Sequence, residues 1–239
     1  MHIYGLHDAR RSLITIAHLF KGIIAYIFVT LLLNIFFMLN SKSVSPDQAI
    51  AAHMSISTVL NFVVLTFFMG RIIEIIFGLS PLPVGALLRK HLPKFILTTI
   101  LLSLIAAPLF VIASQFPFPQ NPSATFLLPS IGIKVFTIYI FPLVFITSQV
   151  RFAIVTGAKC LIGNFKDSQF LIALSISAFL FEGYALPSLV PAFQNNPIFI
   201  VAATACNIFF SLYLFTAAAW IMREKLYSEG EDGPGVTLH

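Results

Sequence analysis

The chain has 239 residues, of which 58% are hydrophobic and only 10% charged, with a formal net charge of +5. A soluble domain carries about a quarter charged residues, so this composition excludes a water-soluble globular enzyme or binding module. The basic excess has no span-free domain to sit in, which points to the anionic head groups of a membrane as partner and not to nucleic acid.

In chain order, Met1–Phe20 contains DARRSLITIAHLF, which places Leu13, Ile16, Ala17 and Phe20 on one helical face and Arg10 and Arg11 off it. Such a segment is expected to lie along the membrane interface. The first long apolar run, Gly22–Leu39, exceeds the roughly 7–15 residues of a signal-peptide core. The SKSVSPDQ that follows has no small-residue cleavage site, so the run is expected to remain as a helix. Five further runs follow: Ser55–Phe77, Phe95–Ser114, Leu127–Gln149, Gln169–Leu189 and Ile198–Met222. Each is roughly 18–25 residues, the length that crosses a bilayer core of about 30 Å as helix. The expectation is therefore an all-α polytopic membrane protein with six transmembrane helices and interfacial amphipathic helices. Residues 1–222 form one integral membrane domain, and 223–239 form a polar, Gly/Pro-bearing flexible tail in the cytoplasm.

The connections between these runs differ in charge. SKSVSPDQAIAAH, QFPFPQNPS and PSLVPAFQNNP hold a single basic residue, Lys42. The other side collects Arg10, Arg11, Lys21, Arg71, Arg89, Lys90, Lys94, Arg151, Lys159, Lys166, Arg223 and Lys225. Basic residues favour the cytoplasmic side, so both termini are expected in the cytoplasm. The segment Arg151–Lys166 is amphipathic, with Phe152, Val155, Ala158, Leu161, Ile162 and Phe165 spaced for one face and Arg151, Lys159 and Lys166 elsewhere. Three segments, Ser12–Lys21, Gly85–Lys94 and Gly157–Lys166, align without gaps, and each ends in a lysine at the start of a span. They outline a three-fold pseudo-repeat of interfacial helix, outward crossing and return.

Catalytic signatures are absent from the sequence: there is no H-E-x-x-H pair, no phosphate-binding P-loop and no G-x-S-x-G elbow. Neither a cofactor, a metal nor a catalytic residue is predicted, and the protein reads as a non-enzyme. The histidines are expected at interfaces or in solvent, His18 and His91 sharing a column of the repeat. Cys160 and Cys206 are placed for neither a disulfide nor a metal site. Charge inside a span is the usual pointer to function. Arg71 and Glu74, three residues apart at the end of the second run, can pair on one helix face. Lys134 lies five residues inside Pro129 and Glu182 five residues inside Pro187. At about 1.5 Å per residue the two reach similar depth, and an intramembrane ion pair between them is the sharpest candidate site. Pro108 and Pro142 fall inside spans and are expected to bend them.

Two segments carry a family likeness. LPVGALLRKHLPKFILTTILLSL, with Leu92-Pro93-Lys94-Phe95 leading into the third run, and LPSIGIKVFTIYIFPLVFITSQ followed by Gly157–Lys166 resemble the YciC-like family of uncharacterised bacterial inner-membrane proteins (uncharacterised protein family 0259). The chain departs from the family's Pro-Gly opening of that span, having Pro129-Ser130-Ile131-Gly132. The resemblance implies a multi-pass inner-membrane protein of a Gram-negative bacterium and supplies no site residues. Two functions are expected from these features: an envelope or membrane-organising role through lipid or partner contacts, or a small transporter or lipid-handling permease built from pseudo-repeats.

Substituting Lys134→Met and Glu182→Gln, singly and together, tests the charge pair through the thermal stability of the purified protein. Coupled residues should make the double variant less damaged than the sum of the single ones; strict additivity would dismiss the pairing.

Overall fold

Hydrocarbon offers no partner to a backbone N–H or C=O, so apolar runs that enter it fold as helices. The computed structural model describes residues 6–40, 46–116, 125–147, 149–163, 165–181 and 197–229, and no strand occurs among them. The described residues form nine helices: α1 (Leu6–Ala17), α2 (Phe20–Asn40), α3 (Pro46–Phe77), α4 (Val84–Ser114), α5 (Leu127–Phe136), α6 (Ile140–Ile146), α7 (Val150–Gly163), α8 (Phe165–Leu180) and α9 (Pro197–Glu229).

Four stretches are long and apolar enough to cross a membrane: Thr58–Phe77 in α3, Val84–Ser114, Leu127–Ile146 across α5 and α6, and Ala205–Lys225 in α9. Segments Ala9–Ala17 and Phe20–Thr30, bent by 65° at their junction, make a fifth if the pair is one span. The run Gln169–Leu189 extends outside the described residues, and its described helix Ser168–Leu180 is shorter than a span. Four or five crossings are thus accounted for among the described residues.

Several boundaries differ from the sequence expectation. Helix α3 starts at Pro46, so much of the connection SKSVSPDQAIAAH is helical. Helix α9 continues beyond Met222 to Glu229, so the tail does not begin at residue 223. The fourth run is broken into α5 and α6, whereas α4 runs unbroken through Pro93 and Pro108. The aligned repeat segments adopt different conformations: Ser12–Lys21 holds the 65° bend, while Gly85–Lys94 lies within continuous helix.

Helix α1 is buried along a line that shares only Ile16 with the apolar face read from its sequence: Ser12, Thr15 and Ile16 are buried, while Leu13 and Ile14, and Phe20 at the start of α2, are exposed. The cause is the partner. Helix α1 packs on α9, where Thr216, Ala217, Ala218 and Ala219 are fully buried, and small side chains on both helices let the backbones approach. Trp220 locks this junction. Its indole N–H donates to Thr15 Oγ1 at 3.4 Å, and its ring lies between the guanidinium groups of Arg11 (5.4 Å) and Arg223 (5.0 Å). Arg11 also pairs with Glu224 at 3.2 Å.

Among the described residues, the buried ones cluster near Arg71, Arg151 and Arg223. The core gathers Phe68, Met69, Ile72, Ile73 and Ile76 of α3, nearly all of α6, and Leu212 to Met222 of α9. Outward residues such as Leu104, Ile105, Val111 and Ile112 of α4 remain exposed, as lipid-facing residues are. On α7 the face containing Phe152, Val155 and Ile162 is exposed, and Ala153 and Gly157 are buried against the bundle. Gly157 sits against the backbone of α6, where an added Cβ would meet Ile140 Cγ1 at 2.7 Å and Ile140 N and Cα at 3.0 Å.

Because backbone cannot yield as a side-chain tip can, Gly157→Ala is expected to destabilise the protein by about 1–3 kcal/mol, read as a lower unfolding temperature in detergent. Gly85→Ala, whose Cβ meets nothing within 4 Å, is the control and should leave that temperature unchanged or raise it.

Candidate functional site

Proline has no N–H, so Pro142 cannot donate to the carbonyl of Ile138, four residues earlier. The span breaks ahead of it. Thr137, Ile138 and Tyr139 form a turn in which Ile138 N–H bonds Val135 O at 3.2 Å and Ile140 N–H bonds Thr137 O at 3.1 Å. The Thr137 hydroxyl donates to Lys134 O at 3.0 Å. A buried hydrogen bond of 2.7 Å between the Tyr139 hydroxyl and Ser168 Oγ ties the turn to the start of α8. The turn falls about halfway along Leu127–Ile146, roughly 15 Å from either end at 1.5 Å per residue.

A cavity of about 220 Å³ opens beside this break. Its polar lining is Lys134, Thr137, Ser175 and Ser211, drawn from α5, the turn, α8 and α9, and its apolar lining includes Met69, Phe95, Phe141 and Phe215. Ser175 is 1% exposed, and its Oγ has no hydrogen-bond partner among the described residues. The Lys134 ammonium lies 5.8 Å from the centre of the Phe179 ring. Glu182, its expected ion-pair partner, lies outside the described residues. The sequence offers few polar residues near Pro142 along its own run; the fold brings them from neighbouring helices.

Arg71 and Glu74 are brought together at 2.6 Å on the last turns of α3. Glu74 is buried, and it does more than pair. Its Oε2 accepts from Arg71 and its Oε1 from the backbone N–H of Leu82 at 2.9 Å, which holds the loop between α3 and α4 against the helix end. The loop can turn there because Gly78, at φ +64°, closes α3 with two capping bonds, Leu79 N–H to Glu74 O and Gly78 N–H to Ile75 O. Under the loop lies a second cavity of about 200 Å³, lined by Glu74, Lys90, His91, Phe77, Phe145 and Ile146 among others.

His91 departs from the expectation of an interfacial or solvated histidine. It is 5% exposed, its ring stacks on Phe145 with centroids 4.8 Å apart, and its Nδ1 has no partner among the described residues. The signal was in the spacing: His91 stands four residues from both Leu87 and Phe95, on the buried stripe Leu87–His91–Phe95–Thr98–Leu102–Ala106. Helix α4, at 31 residues, would extend about 46 Å, more than a bilayer core needs. The sequence expectation began this crossing at Phe95, whereas the apolar stretch of the structure is Val84–Ser114 and includes Arg89, Lys90, His91 and Lys94.

Compared with models of protein families, with curated proteins and with solved structures, the chain gives no match.

Proposed function

We propose that the protein is a multi-pass inner-membrane protein that holds a small polar or anionic solute, or a lipid head group, at mid-bilayer. This makes it a small transporter or lipid-handling permease and not an enzyme. The observation that carries the reading is the cavity beside the broken span, with Lys134, Thr137, Ser175 and Ser211 on its walls. Polar side chains deep in a membrane are costly and mark pathways or binding sites. Interrupted helices at mid-depth are how transporters present backbone and side-chain polarity to cargo. At about 220 Å³ the cavity is below the roughly 300–1,000 Å³ of sites for drug-sized ligands, so the ligand is small or enters by one end only.

The cytoplasmic placement of both termini belongs to this proposal and rests on the confinement of basic residues to one set of connections. The sixth crossing, the three-fold pseudo-repeat and the affinity with the YciC-like family, carried by the two segments quoted above, belong to it too. The competing reading, a membrane-organising protein without cargo that works through lipid or partner contacts, is supported by the outward apolar face of α7 with exposed Phe152, Val155 and Ile162.

Cysteine accessibility separates these readings. With Cys160 and Cys206 replaced by alanine, single cysteines at Ser175, Ser211, Leu104 and Lys159 are labelled in membrane vesicles with a small water-soluble thiol reagent. Thiols react as thiolates, which need water. Ser175→Cys and Ser211→Cys are expected to label and Leu104→Cys to stay silent, with Lys159→Cys reacting from the cytoplasmic side only. Silence at both serine positions would rule out a hydrated site, and labelling of Lys159→Cys from outside intact cells would invert the topology.

A further inference from the structure

The cavity beneath the loop between α3 and α4 is separate from the one at the broken span, and its chemistry is different. Its wall carries one carboxylate, Glu74, and one ammonium, Lys90, with the buried His91 beside them. Each oxygen of Glu74 accepts a single bond in the structure, one from Arg71 and one from Leu82. A carboxylate offers about four lone-pair sites, so acceptor capacity remains on the cavity side. His91 Nδ1, on a ring 5% exposed, has no partner among the described residues. Between these groups Ile73, Phe77, Phe145 and Ile146 supply an apolar floor. A simple anion would meet the Glu74 carboxylate, and a simple cation would meet Lys90. The lining matches a ligand that bears both charges on a short polar unit joined to an apolar chain.

The position points the same way. Glu74 lies on the last turn of the apolar stretch Thr58–Phe77, and Lys90 and His91 lie in the second turn of the 31-residue stretch Val84–Ser114, so the cavity sits by the ends of both stretches, where phospholipid head groups are met. We propose that this cavity binds the phosphoethanolamine head group of a membrane phospholipid, its phosphate on Lys90 and His91 and its ammonium on Glu74. The glycerol end of the lipid then rests on Phe145 and Ile146. A phosphocholine head group has no N–H to give Glu74, and a phosphoglycerol head group has no cation, so the site discriminates against both.

The test uses the full chain in mild detergent, with native mass spectrometry after equilibration with equal amounts of phosphatidylethanolamine, phosphatidylcholine and phosphatidylglycerol. Phosphatidylethanolamine should be retained roughly tenfold over the other two, as one charge-assisted hydrogen bond would give. Lys90→Met, at an exposed position that leaves the fold alone, and His91→Phe should each reduce that retention. Glu74→Gln should erase the preference over phosphatidylcholine. Equal retention of the three lipids, or retention indifferent to both Lys90→Met and His91→Phe, would overturn the proposal. Free O-phosphoethanolamine binding as tightly as the lipid would overturn the assignment to a lipid and leave a soluble zwitterion as the ligand.

Discussion

A carbonyl that loses its helical donor in the middle of a bilayer finds no water to replace it, and this constraint explains where the bundle is dense. Pro142 leaves the Ile138 carbonyl without an N–H four residues on. The segment around the break is accordingly shielded by protein. Ile138, Tyr139 and Ile140 are buried, as are Pro142, Leu143, Val144, Phe145 and Ile146. Helices α3, α4, α7 and α9 all pack on α6. The close seat of Gly157 on Ile140 and the Tyr139–Ser168 hydrogen bond are parts of the same enclosure. Polar groups at mid-depth then collect where protein, not lipid, already surrounds the backbone.

The two other helix-internal prolines illustrate the same rule by contrast. Pro108 would deprive the carbonyl of Leu104 of its donor, yet α4 stays continuous there. Leu104 and Ile105 are exposed on the outer face of the bundle, so an opened turn at that point would present bare backbone to hydrocarbon. Pro93 lies in the third turn of α4, near Arg89, Lys90 and Lys94, and is exposed. The residue type is identical in all three cases. What differs is the neighbour, and a break forms only where another helix covers it.

This difference sets what the sequence could say. Hydropathy is a property of the chain itself, and it located four of the runs as helices long enough to cross. The Arg71–Glu74 pair was legible because it depends only on i, i+3 spacing within one helix. Features that depend on tertiary neighbours were not. The cavity beside the break at Thr137–Tyr139 takes Ser175 and Ser211 from α8 and α9, which lie far off in sequence. The inward line of α1, Ser12, Thr15 and Ile16, is set by the alanines of α9, which spacing within α1 alone does not show. Helix α9 runs past Met222 because Arg223 and Glu224 find partners on Trp220 and Arg11, which no local composition rule anticipates. His91 is intermediate: its place on the stripe of α4 could be read from spacing, but a histidine beside three basic residues looks like surface.

The two cavities lie close together without forming one channel, and a cluster of rings is the reason. Phe95 meets Phe141 edge-on at 5.3 Å and Phe145 at 6.0 Å, and Phe145 in turn meets Phe215 at 5.5 Å and stacks on His91 at 4.8 Å. Phe95, Phe141 and Phe215 line the cavity at the broken span, while His91 and Phe145 line the one beneath the loop. A partition of packed aromatic rings excludes water and has few rotatable bonds, so it keeps the hydrated polar groups of one cavity from continuity with the other. Without it, Lys134 and Glu74 would face a shared polar path through the half of the bundle where burial is densest. The partition also fixes what a permease reading demands of the molecule: passage between the cavities requires Phe145 to leave both His91 and Phe215 at once.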